Sequence, residues 1–73
     1  MKRTLDVVIE RDEDGLYVGS IPELPGCHTQ AKTLDELMKR IKEAAELYLE
    51  VDRDAIKDIN VEFVGIQRLE IPI

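Results

Sequence analysis

The sequence predicts a small two-layer α+β fold in the order β-β-β-α-β, one helix packed on a mainly antiparallel sheet, on three observations. Leu5, Val7 and Ile9 alternate with Thr4, Asp6, Val8 and Glu10, the period of a strand with one apolar face. Leu34, Leu37, Met38, Ile41, Ala44, Ala45, Tyr48 and Leu49 recur at spacings of three and four, the period of an amphipathic helix. Between them the run Pro22-Glu23-Leu24-Pro25-Gly26-Cys27 is dense in residues that end strands. With 73 residues and no repeat or low-complexity tract, residues 1–73 are expected to be a single domain.

Each element has a local reason. Residues 2–10 read as the first strand. Asp14-Gly15 is a turn pair, because both residues tolerate positive φ, and it reverses the chain into Leu16–Ile21 as an antiparallel partner. Pro22 and Pro25 lack the N–H that a sheet ladder needs and bias Ile21 and Leu24 toward extended backbone, so the second strand stops there. Cys27–Ala31 is at most a short third strand, because Thr33-Leu34-Asp35-Glu36 matches a capping box and opens the helix at Thr33. The far side of that helix carries Asp35, Glu36, Lys39, Arg40, Lys42, Glu43, Glu46 and Glu50. Leu47 falls among these charges, either as a surface leucine or as part of a contact. Residues 51–59 read as a charged connection, with or without a helical extension, and 61–73 read as a final strand. Its apolar parity slips at Gly65: Val61 and Phe63 share one face, Val64 and Ile66 the other, as a bulge or bend would give. Apolar residues on both faces predict that one face meets the helix and the other a neighbouring subunit. Phe63, Val64 and Ile66 are the candidate oligomer contacts, and a dimer or higher homo-oligomer is expected.

Composition narrows the function classes. Apolar residues make up 44% and charged residues 36%, too apolar for a disordered chain and too interrupted for a membrane span. The first residues carry no continuous apolar stretch of a signal peptide, so a cytoplasmic protein is expected. A net charge of −6, with no basic run longer than two residues, disfavours direct nucleic-acid binding and suits a basic partner.

Candidate chemistry resolves into structural roles. Adjacent residues of a strand point to opposite faces, so Cys27 and His28 make a poor thiolate–imidazole pair, and nothing in the sequence orients the histidine. Cys27 reads as a small buried residue and His28 as a surface one. Asp6 and Glu10 share a parity on the first strand and, with Glu23 or Glu36 approaching from elsewhere, are the carboxylates to weigh for a metal-dependent nuclease. Asp6 and Glu10 lie opposite the apolar parity of their strand, where solvated side chains belong. Asp12, Glu13 and Asp14 read as a solvated turn. No phosphate loop, nucleophile elbow or dinucleotide fingerprint is present. No catalytic residue, metal site or cofactor is assigned, and the protein is expected not to be an enzyme.

The punctuation is also a family mark. Gly15-Leu16-Tyr17-Val18, Ile21-Pro22-Glu23-Leu24-Pro25-Gly26-Cys27, Thr29-Gln30, Thr33-Leu34-Asp35-Glu36-Leu37 and Ile41-Lys42-Glu43-Ala44 together resemble the N-terminal domain of the HicB-like antitoxin family. The motifs cover residues 2 to about 50, and the last strand fits in kind. The resemblance implies a partly degenerate RNase H-like domain without nuclease activity, which binds and masks a small basic, RNA-cleaving HicA-like toxin of a type II toxin–antitoxin system. By position Pro22, Leu24, Pro25, Gly26 and Cys27 would carry the turn, while Thr33 and Glu36 would start the helix. Ala31 stands where the family often has glycine. The family commonly adds a C-terminal DNA-binding domain; here a strand stands in its place, so operator binding is expected to be absent. His28, Thr29, Gln30 and Leu47 are the candidate partner-binding residues. The alternative reading is an orphan oligomeric structural or adaptor module with a different protein partner.

Overall fold

Among the described residues three short strands and one helix make up the fold: β1 (Val8–Arg11), β2 (Tyr17–Ser20), β3 (His28–Ala31) and α1 (Leu34–Val51). The computed structural model describes residues 4–57, 59 and 61–73. The strands form one antiparallel sheet in the order β1-β2-β3, in registers that pair Ile9 with Gly19 and Gly19 with Thr29. The helix packs on β2 and β3, giving the α+β layers that the sequence predicts.

The β1–β2 connection differs in detail from the expected Asp-Gly turn. Asp12 and Leu16 close the loop, with Asp12 N–H donating to the Leu16 carbonyl at 2.9 Å and Gly15 N–H to the Asp12 carbonyl at 3.0 Å. Only Gly15 takes positive φ, at 84°, so Glu13, Asp14 and Gly15 form a three-residue loop with glycine at the left-handed position. The Asp12 carboxylate accepts from the N–H groups of Asp14 and Leu16 at 3.0 and 2.9 Å, which holds Asp14 in ordinary φ space. Across the strand ends the Arg11 guanidinium lies 5.2 Å from the Tyr17 ring centroid.

The Pro-Gly stretch is a pair of nested turns. Leu24 N–H donates to the Ile21 carbonyl at 3.0 Å, Cys27 N–H to the Leu24 carbonyl at 2.9 Å, and Ile21 N–H to the Cys27 carbonyl at 3.1 Å. Pro22 and Pro25 each occupy the second position of a turn, where a fixed φ is wanted and no N–H is needed. Gly26, at φ 85°, fills the third position of the second turn, which L side chains resist. The hinge between the turns is Leu24, with no exposed surface, packed with Ile21, Cys27, Ile41, Ala45 and Ala55.

Thr33 caps α1, its Oγ1 accepting from Glu36 N–H at 3.1 Å. The reciprocal half of the capping box is not made. Glu36 Oε1 instead meets the Arg40 guanidinium at 2.7 Å, while Arg40 also donates to the Gln30 carbonyl at 2.9 Å and so ties α1 to β3. Gly19 lets the helix approach the sheet: a Cβ there would sit 3.4 Å from Leu37, which is fully buried.

Two expectations about strands need correction. The first strand does not pair over residues 2–10; residues 2 and 3 lie outside the described residues, and the ladder begins at Val8 because its partner strand turns away after Ser20. The expected last strand is not formed either. No part of 61–73 pairs with the sheet, and Val64, Ile66, Leu69, Ile71 and Ile73 are exposed. A strand needs a neighbour for its backbone groups as well as an alternating pattern, and this chain folds without bringing one to that segment. Part of the 51–59 connection is ordered as turns after α1: the Asp52 N–H donates to the Tyr48 carbonyl, and the Ala55 N–H to the Asp52 carbonyl.

Candidate functional site

The nested turns deliver the chain to the start of β3 beside the C-terminal half of α1, and a groove opens between them. Cys27, Ala44 and Tyr48 lie at its base, and Gly26, His28, Leu47, Val51 and Asp52 line it. It is predominantly apolar. Two of the four residues expected to bind a partner, His28 and Leu47, are brought together here although nineteen positions separate them.

Leu47 is 61% and Val51 88% exposed. They are one helical turn apart on α1 and share a face with Glu43 and Glu50. Val51 was not among the expected partner contacts; it lies where the sequence predicts a connection with or without a helical extension, and its signal is the Leu47-to-Val51 spacing of four on a charged face. Thr29 and Gln30 sit apart from the groove, in a shallow depression with Val18 and His28 beside β3. The Gln30 carbonyl is already occupied by Arg40.

Electrostatics favour a cation at this end of the molecule. α1 has Asp35 and Glu36 in its first turn, where acids complement the positive end of the helix dipole, but no basic residue in its last turn. The negative end has no compensating cation within the helix itself, and Glu50 and the groove residue Asp52 add negative charge there, with Arg53 the first cation beyond the cap.

Cys27 is buried at the base of the groove, and burial pushes its thiol pKa up from the ordinary value. A thiol held protonated is a poor nucleophile, which suits a packing role. The Asp6 carboxyl is also pushed up, first by desolvation and then by the charge of Glu23 and a hydrogen bond to it. Glu23 Oε2 accepts from the Asp6 N–H at 3.1 Å, while Glu23 Oε1 has no hydrogen-bond partner among the described residues. These two carboxyls approach each other, but among the described residues no three His, Cys, Asp or Glu side chains converge in a way that would hold a metal. No helix among the described residues is long and apolar enough to cross a membrane. Pro22, Leu24, Pro25, Gly26, Thr33 and Glu36 occupy the turns and the helix start. Phe63 is half-buried, whereas Val64 and Ile66 are exposed.

The sequence is similar to those of known proteins. The family described as HicB_like antitoxin of bacterial toxin-antitoxin system matches residues 5–69. A UPF0150 protein of Archaeoglobus fulgidus is 62% identical over 65 residues, covering 89% of this chain and 90% of that one. A UPF0150 protein of Synechocystis sp. is 46% identical over 68 residues, covering 93% and 94%, and one of Thermotoga maritima is 37% identical over 73 residues, covering 97% and 93%.

Proposed function

Since the chain belongs to the HicB-like antitoxin family of bacterial toxin–antitoxin systems, we propose that it is a non-enzymatic cytoplasmic antitoxin, masking a small basic HicA-like RNA-cleaving toxin by occupying its surface. The single observation that carries the docking face is the groove of His28, Leu47 and Val51: large exposed apolar side chains on an otherwise charged helix face, next to a helix end whose last turn holds no basic residue. Exposed apolar groups rimmed by polar ones mark contact surfaces. Leu47 and Val51 would be desolvated by the toxin and slow its release, while the net charge of −6 would speed encounter with a cationic partner. Inhibition in this scheme requires no chemistry from the antitoxin, only that bound protein excludes RNA from the toxin.

The test is to recover the tagged chain from its native cells, identify what co-purifies by mass spectrometry, and assay the partner for RNA cleavage. The expected partner is a small basic protein whose cleavage stops when this chain is added and resumes when Leu47→Glu replaces it. Recovery of the chain alone, or with a partner that cleaves no RNA, would overturn the antitoxin reading in favour of an oligomeric adaptor.

A further inference from the structure

The sheet has an uncovered flank on the side away from that groove. Ile9 pairs with Gly19, whose missing Cβ would face Leu37, so both positions look toward α1. Yet α1 packs on β2 and β3 and makes no packing with β1. Ile9 is left 45% exposed. Next to it Leu5, Val7, Ile21, Met38, Ile41 and Leu49 line an open apolar groove between the chain leading into β1 and the helix. β1 is also an edge strand, with one side of its backbone unpaired.

The same chain carries a segment with the complementary lack. Residues 61–73 hold Val64, Ile66, Leu69 and Ile71, with Val64 92% exposed and Ile66 77%, and none of their backbone groups joins the sheet. The radius of gyration is 13.9 Å, against about 11 Å for a compact chain of this length. The accessible surface is 6484 Å², against about 4,600 Å² for a folded monomer of this mass. The excess, about 1,900 Å² by difference, exceeds the roughly 800 Å² per partner that a stable interface buries.

We infer that residues 61–73 are an exchange arm: in a two-fold dimer each copy lays this arm along the β1 edge of the other, seating its apolar side chains in the groove of Leu5, Val7, Met38 and Leu49. Three observations favour a second copy over the chain's own edge. Val64 and Ile66 have one parity while Leu69 and Ile71 have the other, and a strand laid on its own monomer would cover only one face. Thirteen residues span about 43 Å as a strand, far more than the four paired residues of β1 offer. An arm and an acceptor on the same chain are self-complementary, which closes a two-fold interface with nothing left over. This flank lies apart from the His28–Leu47 groove, so the dimer forms with or without a toxin.

Light scattering and isotope-filtered NMR on the isolated full-length chain test the inference. The mass is expected at twice 8.4 kDa. In an equimolar mixture of labelled and unlabelled chains, Ile66, Leu69 and Ile71 methyls are expected to show intermolecular contacts to Leu5, Val7 and Met38. The Ile66→Asp, Leu69→Asp double variant is expected to weaken the dimer by at least about 100-fold while keeping the helical circular dichroism. A monomeric wild type, a dimer in which the arm touches only its own chain, or an arm seated against Leu47 and Val51 would each overturn it.

Discussion

Replacing Leu24 by alanine should be among the most damaging single changes in the molecule, and replacing Leu47 among the least. Leu24 has no exposed surface and sits at the hinge of two turns whose hydrogen bonds to Ile21 and Cys27 fix its backbone. Truncation removes three buried carbons, about 2.4 kcal/mol at roughly 0.8 kcal/mol each. The pinned turns and flanking prolines oppose collapse into the void, so a cavity contribution adds to this and brings the loss to about 3 kcal/mol. A domain of this length has only about 4 to 11 kcal/mol in total, so Leu24→Ala should lower Tm by about 12 to 24 °C. Leu47, with 61% of its surface exposed on a helix that tolerates alanine well, should lose less than about 0.5 kcal/mol. Urea denaturation followed by circular dichroism, at one fixed chain concentration so that association contributes equally, reads both. A Leu24→Ala loss below about 1 kcal/mol, or a Leu47→Ala loss above it, would refute the assignment of one leucine to the core and the other to a contact surface.

Three further substitutions probe local physics. Thr33→Ala removes the oxygen that holds the Glu36 N–H and should cost about 1 kcal/mol in the same assay, with Thr33→Ser retaining most of it. Gly26→Ala meets nothing within 4 Å, so any loss is backbone strain at φ 85°; about 1 to 2 kcal/mol is expected. The Asp6 carboxyl is raised in the fold, so it binds its proton more tightly folded than unfolded. Its stabilising contribution is complete below its ordinary value of 3.8 and is lost as pH rises through the raised folded value. Asp6→Asn should therefore be more stable than wild type at pH 7, with the difference shrinking toward pH 3.5; a difference that does not change with pH would contradict a carboxyl pushed up by desolvation and by Glu23.

What could be read from the sequence was what neighbours in the chain decide. The Thr33 cap, the helix with its Leu37, Ile41 and Ala45 face and the prolines that end β2 are local and are found as expected, whereas Leu34 and Met38 of the apolar stripe are left exposed. The Asp14 conformation was missed because the Asp12 carboxylate binds the Asp14 and Leu16 N–H groups and so selects a three-residue loop. The last strand was read from alternation, which reports that a segment has apolar faces but not which chain covers them. For the same reason Ile9 was assigned to a covered face, whereas α1 stops short of β1 and leaves it half open. His28 and Leu47 were each singled out, but their meeting depends on where two nested turns return the chain, a distance no local pattern encodes. Glu36 was expected to complete a capping box; competition from Arg40, charged and four residues on, took its carboxylate instead.

The most direct measurement of the central claim is a titration of RNA cleavage by the co-purified basic protein with increasing amounts of this chain, wild type and Leu47→Glu side by side. Wild type should abolish cleavage at a fixed stoichiometric ratio, while the folded Leu47→Glu chain should leave it largely intact. Cleavage unaffected by wild type, or abolished equally by both, would contradict masking through the His28–Leu47 groove.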